Sequence, residues 1–390
     1  MAEISARFFL SSSVGQNLRM RVLIASDSFG GTLSAQGACE AIAAGWRSAA
    51  PHDAVTLLPL SDGGPGFLSA MSSLPMAKTW QVRVCSPLGD EVDAQLVQVA
   101  DTVYLESAQA CGRQFTNDSG SSVVRRGSTF GVGQLLDHAL KVPDVKKIVI
   151  GLGGSGTNDA GAGLLAAIGC ESESLTGGGV GLLNAATVDL EGVRRRFAGI
   201  ELLIATDVDN PLLGAQGATE VYGPQKGATA ADIIELEAAL THFAAITNPQ
   251  LALAPGAGAA GGLAFGLLLV GARRVSGIEL VAQALNLDRA IAQSDLVITG
   301  EGSFDWQSLR GKVIAGVAHF AAKHGKPVVV IAGQVQVARR EFMALGVESA
   351  YAVAENQAEI DASLADPARS LLRRAESVAR TWSPAGGLKK

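Results

Sequence analysis

The segment that most constrains this chain is Lys146-Lys147-Ile148-Val149-Ile150 running into Gly151-Leu152-Gly153-Gly154-Ser155-Gly156-Thr157-Asn158-Asp159. Ile148-Val149-Ile150 reads as a buried strand, and Leu164-Leu165-Ala166-Ala167-Ile168 beyond the glycines reads as a helix. Glycines allow a tight turn and bring backbone N–H groups close to a ligand, while the start of the helix favours negative charge. Phosphate is the natural guest of such a turn.

Similar Val- and Ile-rich runs recur at Val22-Leu23-Ile24-Ala25, Leu202-Leu203-Ile204-Ala205, Leu296-Val297-Ile298 and Val328-Val329-Val330-Ile331. Helical stripes alternate with them, such as Ala35, Ala38, Cys39, Ile42 and Trp46 behind a Ser34 N-cap, which implies parallel sheets. Acids follow the strands. Asp27 stands after the first, Asp207 and Asp209 after Ala205, and Gly300-Glu301-Gly302 after Ile298. Ligands of open parallel sheets bind beyond the carboxyl ends of the strands, so several acids placed there beside glycines indicate a site rather than helix caps alone.

At 390 residues, with 48% hydrophobic and 17% charged residues, the chain suits a two-domain α/β enzyme. A net charge of −6 leaves no basic footprint for nucleic acid. Cys39, Cys85, Cys111 and Cys170 form no Cys-x-x-Cys pair, which fits neither a zinc site nor a disulfide framework and suits a reducing cytoplasm. No apolar run reaches membrane-spanning length. Residues 1–19 are expected to be a disordered extension, with Met20, directly before the first strand, as a candidate for the true start.

Gly151 to Gly156 formally matches the dinucleotide pattern G-x-G-x-x-G, but Glu171 and Glu173 follow the helix rather than a second strand, where the ribose-binding acid belongs. Gly256-Ala257-Gly258-Ala259-Ala260-Gly261 fits the same pattern, which shows how cheaply a glycine-rich chain produces it. Gly311-Lys312 is followed by Val313 and not by the Ser or Thr of a Walker A loop. A dehydrogenase is therefore the weakest reading.

Read together, the segments say more. Asp27-Ser28-Phe29, Ser61-Asp62-Gly63-Gly64, the Gly153 to Asp159 loop, Asp207-Val208-Asp209-Asn210-Pro211-Leu212, Gly223-Pro224-Gln225-Lys226-Gly227, Pro255 to Gly262 and Thr299-Gly300-Glu301-Gly302 resemble the type 1 glycerate kinases in order and approximate spacing. The resemblance implies ATP-dependent phosphorylation of glycerate, leaning to 2-phosphoglycerate. It also implies a Rossmann-like parallel-sheet domain formed from both chain ends, residues 20–81 and 278–385, with a second α/β domain inserted over 82–277. The cleft between them would be the site. The chain departs from the family at Gly30, Pro65 and Ser303, where Lys, Glu and Arg are usual. Two cations and one acid are absent from cleft loops, which keeps two alternatives open: a kinase of another small hydroxy acid, or a catalytically silent sensor of a nucleotide or metabolite.

Phosphoryl transfer needs a cation to screen the phosphates, contacts to hold them, and an acid to orient the acceptor hydroxyl. Gly153 and Gly154, with Gly256, Gly258, Gly261 and Gly262, are the candidates for cradling ATP, together with Glu301 and Lys312. Asp207 and Asp209 suit a hydrated Mg²⁺. Lys226 would neutralise the transferred group. Asp62, Asp159 and Asp305 compete as general base, with a slight lean to Asp305. Asp27, Ser28, Ser155, Thr157 and Asn158 would meet the acceptor, a small molecule, in a monomer or homodimer. Glu106 is a candidate cleft residue.

Overall fold

The structure, a computed structural model, describes residues 19–116, 120–309 and 311–383. The expected N-terminal extension, all but its last residue, lies outside the described residues, as does Arg310.

Five strands, β1 (Arg21–Ile24), β2 (Ala54–Leu57), β9 (Leu296–Thr299), β11 (Val328–Ala332) and β13 (Ser349–Ala352), form a wholly parallel sheet in the order β13-β11-β9-β1-β2. The chain winds from β1 to β2 in one direction and from β9 through β11 to β13 in the other. Direction reverses between β1 and β9, which pair from Val22↔Leu296 to Ile24↔Ile298. The crevice outside such a reversal is where doubly wound sheets bind ligands.

Helix α1 (Ala35–Ala49) opens on Ser34, whose hydroxyl accepts from the Gly37 N–H at 3.1 Å, and buries the expected Ala38, Cys39, Ile42 and Trp46 stripe on one face of the sheet. Its Gly45 admits a close neighbour: a Cβ there would stand 2.1 Å from the Leu372 carbonyl oxygen of the C-terminal helix.

Chain from the middle of the sequence builds the second sheet, in the order β3 (Lys78–Cys85), β4 (Glu91–Val99), β5 (Thr102–Glu106), β6 (Lys147–Gly151), β7 (Glu201–Ala205) and β8 (Arg273–Val275). From β5 to β8 the strands are parallel, but β3, β4 and β5 run antiparallel, which the Val and Ile runs did not indicate. The reason is exposure: Lys78, Thr79, Trp80 and Gln81 all face solvent, so β3 carries no buried-strand signature.

The sheets share a core. Leu23, Val297, Val328 and Val330 of the first belong to the same buried cluster as Val97, Val149 and Leu203 of the second. Between them lie Phe67 of α2 (Phe67–Ser72), Ile278 of α4 (Gly277–Ala284) and Ile314 of α5 (Val313–Lys323), while α3 (Ala162–Ala167) belongs to the core of the second sheet. Short strands β10 (Ser303–Phe304) and β12 (Gln334–Val335) pair beside the first sheet's carboxyl edge. Among the described residues no helix is long and apolar enough to cross a membrane.

Candidate active site

A cavity of about 780 Å³ opens between the carboxyl ends of the two sheets. From the first sheet come Asp62 beyond β2, Asp27 beyond β1 and Glu301 beyond β9, so the last two flank the reversal. Gly153 and Gly154 beyond β6 and Asp207 beyond β7 face them from the second.

Glycine sets the width of this junction. A Cβ on Gly153 would lie 2.5 Å from Gly64 Cα, and one on Gly63 would lie 2.3 Å from the Ala205 carbonyl oxygen, so the Asp62 loop meets the ends of β6 and β7 backbone to backbone. Leu152 N–H donates to the Ala205 carbonyl at 3.0 Å, and the N–H groups of Gly153 and Gly154 find no acceptor among the described residues. Two donors beside the cavity are thus left for a ligand.

Charge dominates the cavity. Burial raises the Asp27 carboxyl well above the ordinary range, helped by Asp62 and Glu301 and opposed by the Ser28 N–H at 2.6 Å and by Lys312. Glu301, only 7% exposed, is pushed up to about 7 by burial, with Ser308 and Lys312 opposing and Asp62 and Asp305 adding to the rise. Its Oε1 has no partner among the described residues. Asp207 rises to about 6, again from burial, although the Ser276 hydroxyl and the Ile278 N–H at 2.9 Å stabilise its charge. Lys312, at the start of α5, is the one basic side chain lining the cavity among the described residues.

These groups fit a hydrated Mg²⁺. Hard oxygen donors, a buried carboxylate oxygen without a partner and mutual repulsion among Asp27, Asp62, Asp207 and Glu301 are what a divalent cation relieves. No group of three or more His, Cys, Asp or Glu side chains among the described residues cages a metal, so the ion would rely on waters and on substrate oxygens.

Of the expected site residues, Asp27, Ser28, Asp62, Gly153, Gly154, Asp207, Asp209, Glu301, Asp305 and Lys312 line the cavity. Others are elsewhere, for physical reasons. Asp159 is fully buried and accepts from Thr129 N–H and hydroxyl, both at 2.8 Å, from Gly161 N–H at 3.1 Å and from Gly163 N–H at 3.2 Å. It ties the start of α3 to Thr129 and does not line the cavity. Ser155, Thr157 and Asn158 are buried behind the glycine turn, with Asn158 Nδ2 donating to Thr219 Oγ1 at 2.9 Å. They do not line the cavity.

Lys226 lies beneath the same turn, its Nζ donating to Ser155 Oγ at 3.1 Å and to the Thr157 carbonyl at 2.7 Å. Burial pulls its pKa down to about 8. It holds the turn and does not line the cavity. Gly256, Gly258, Gly261 and Gly262 are packing glycines rather than a phosphate loop: a Cβ on Gly258 would meet the Pro211 carbonyl at 2.2 Å, and on Gly261 the Thr157 carbonyl at 2.0 Å. The N–H groups of Gly256, Gly258 and Gly262 already donate to Asp209, Asn210 and Gly258 carbonyls. Asp209 also reaches the cavity, where it pairs with Arg274 at 2.6 Å. Glu106 caps α2, accepting from the Gly66 and Leu68 N–H groups at 3.1 and 3.0 Å.

Sequence reading missed Tyr222, Gln225 and an apolar end formed near the C-terminus. Only the Gly-Pro-Gln-Lys-Gly turn pointed toward the first two.

A reversal point carrying carboxylates, an opposing glycine turn with free donors, and one lysine at a helix start define a two-sheet α/β enzyme of the kinase class. The comparisons with known proteins are specific. The model of the glycerate kinase family matches residues 22–383, and the chain belongs to that family. It is 38% identical to a glycerate kinase of Halalkalibacterium halodurans, over 93% of this chain and 98% of that one. It is 36% identical to a glycerate 2-kinase of Escherichia coli K12, with the same coverage. A solved structure assigned as a glycerate kinase 2 of Salmonella typhimurium LT2 superposes with a TM-score of 0.73 at 36% identity, covering 93% of this chain and 98% of that one.

Proposed function

We propose that the chain transfers the terminal phosphoryl group of Mg-ATP to D-glycerate, yielding 2-phosphoglycerate and ADP. The observation that carries this reading is the carboxylate cluster at the sheet reversal, with Lys312 beside it and free N–H donors opposite. In the proposed arrangement Asp27, Asp207 and Glu301 would hold a hydrated Mg²⁺ through its waters rather than as a three-carboxylate cage, and the ion would screen the phosphate charge. Lys312 and the N-terminus of α5 contact the phosphates, and the Gly153-Gly154 turn donates to the acceptor or the transferred group. Asp62 is our choice to accept the proton of the attacking hydroxyl, because it sits among the cluster, its charge raising the Asp27, Asp207 and Glu301 carboxyls alike. The P–O bond to ADP breaks as the bond to the glycerate oxygen forms.

We also read the five-stranded and six-stranded sheets as two domains, the second inserted into the first. All four cysteines are free, which suits a reducing compartment, and we place the enzyme in the cytoplasm as a monomer or homodimer. An assay coupled to ADP release tests the main claim: D-glycerate should stimulate turnover well above ATP alone, and folded protein showing no stimulation would remove glycerate as acceptor. One observation favours a second reading. Gly30, Pro65 and Ser303 all line the cavity, so the three departures from the family pattern lie in the cavity that the proposed transfer would use. A panel of small hydroxy acids ranked by kcat/KM separates the two, with glycerate expected first.

A further inference from the structure

We infer that the far end of the same cavity, at the carboxyl edges of β11 and β13, is the site of the nucleotide base. This rests on the reading of ATP as donor.

Chemistry changes along the cavity. Among the described residues, six carboxylates and Lys312 line the part between the sheets, but no charged side chain lines the other end. That end is walled by Val353 just beyond β13, by Ile360 and Leu364 of α6 (Gln357–Ala365), and by Pro367 and Leu371 of α7 (Pro367–Trp382). Leu371 is 1% exposed, while Leu364 is 60% exposed on a helix with no buried residue. A large apolar side chain lying open beside an apolar wall has something to gain from a ligand.

Glycerate is not that ligand. Each of its three carbons carries oxygen, and a molecule so small and polar neither needs nor fills the apolar end of a 780 Å³ cavity. A flat heteroaromatic base joined to a polyphosphate has both required parts in the required order. Its base would meet Val353, Ile360 and Leu364, and its phosphates would run to Lys312, Glu301 and Asp27. The Ser363 hydroxyl, also on this wall, already donates to the Ile360 carbonyl at 2.8 Å, so the base is held by apolar contact more than by hydrogen bonds.

Among the described residues the cavity has one other large exposed apolar side chain, Trp306, which is 57% exposed on the loop after β10. Calorimetric titration of the full chain with Mg-ATP and with Mg-tripolyphosphate distinguishes the two walls. Leu364 is exposed, so Leu364→Asp leaves the fold intact, and it should weaken Mg-ATP by at least about tenfold. It should leave tripolyphosphate within about twofold, and Leu364→Met should bind ATP like the parent. The inference is overturned if Leu364→Asp leaves ATP affinity unchanged, if both ligands weaken equally, or if Leu364→Asp is silent while Trp306→Ala lowers ATP affinity. A parent protein that binds neither ligand would refute the donor reading and this inference with it. A parent that binds ATP normally, with Leu364→Asp unaffected, would refute this inference alone.

Discussion

Lys226 directs its two recorded hydrogen bonds inward, to Ser155 Oγ and the Thr157 carbonyl, and so fixes the turn that faces the cavity. Replacing it with Met leaves both oxygens without their cation beside Thr157 Oγ1 and Asn158 Oδ1, which already lack partners among the described residues. Lys226→Met should therefore cost roughly 1–3 kcal/mol in denaturant unfolding. The pH dependence has a definite sign. Burial lowers the folded pKa to about 8 from the ordinary 10.5, so the folded chain binds fewer protons here than the unfolded chain between those values. This group's contribution therefore favours folding increasingly as pH rises from about 8 to 10.5 and is lost as pH falls back through that window. Parent minus Lys226→Met stability, measured against pH, should show that slope, and a flat difference would contradict it. Gly153 offers a second test at this scale. Gly153→Ala drives a methyl to 2.5 Å from Gly64 Cα and should lower kcat by about 100-fold through misplacement of the Asp62 loop. Far-UV circular dichroism should meanwhile show the fold retained.

Elements were legible in the sequence where burial left a pattern. The runs at Val22, Ile148, Leu202, Leu296 and Val328 are all strands, because helices or the opposite sheet cover both faces and select Val and Ile at successive positions. The exposed strand β3 carried no such mark. Acids at strand ends were legible for the same reason, and Asp27, Asp207 and Glu301 do converge. Asp159 and the Gly256 to Gly262 run misled because a helix-tying carboxylate and glycines required by close packing have the same composition as a ligand loop. What separates them is whether their donors and acceptors are already used, and that is a tertiary fact. The α1–α7 contact tests the packing argument. Gly45→Ala places a methyl 2.1 Å from the Leu372 carbonyl and should destabilise the protein by about 1–3 kcal/mol, read as a lowered Tm.

For the whole molecule, the shared cluster has a consequence that two separate sheets would not have. Phe67, fully buried, lies edge-on to Tyr104 of the second sheet with centroids 6.0 Å apart, and belongs to the same cluster as Leu23 and Val297 of the first. Phe67→Ala should cost about 3–5 kcal/mol and still give one calorimetric unfolding transition. Two resolved transitions would mean that the sheets unfold independently. A common core also bears on the proposed catalysis, because it holds the Asp62 loop, the glycine turn and Asp207 in one frame around the cavity. The most direct test of that assignment is ³¹P NMR of the full chain incubated with ATP, Mg²⁺ and D-glycerate, beside the Asp62→Asn variant. The parent should form ADP and 2-phosphoglycerate in equal amounts, with the variant slower by at least about 100-fold. Folded parent protein that forms no phosphoglycerate, or a variant that matches it, would contradict the account.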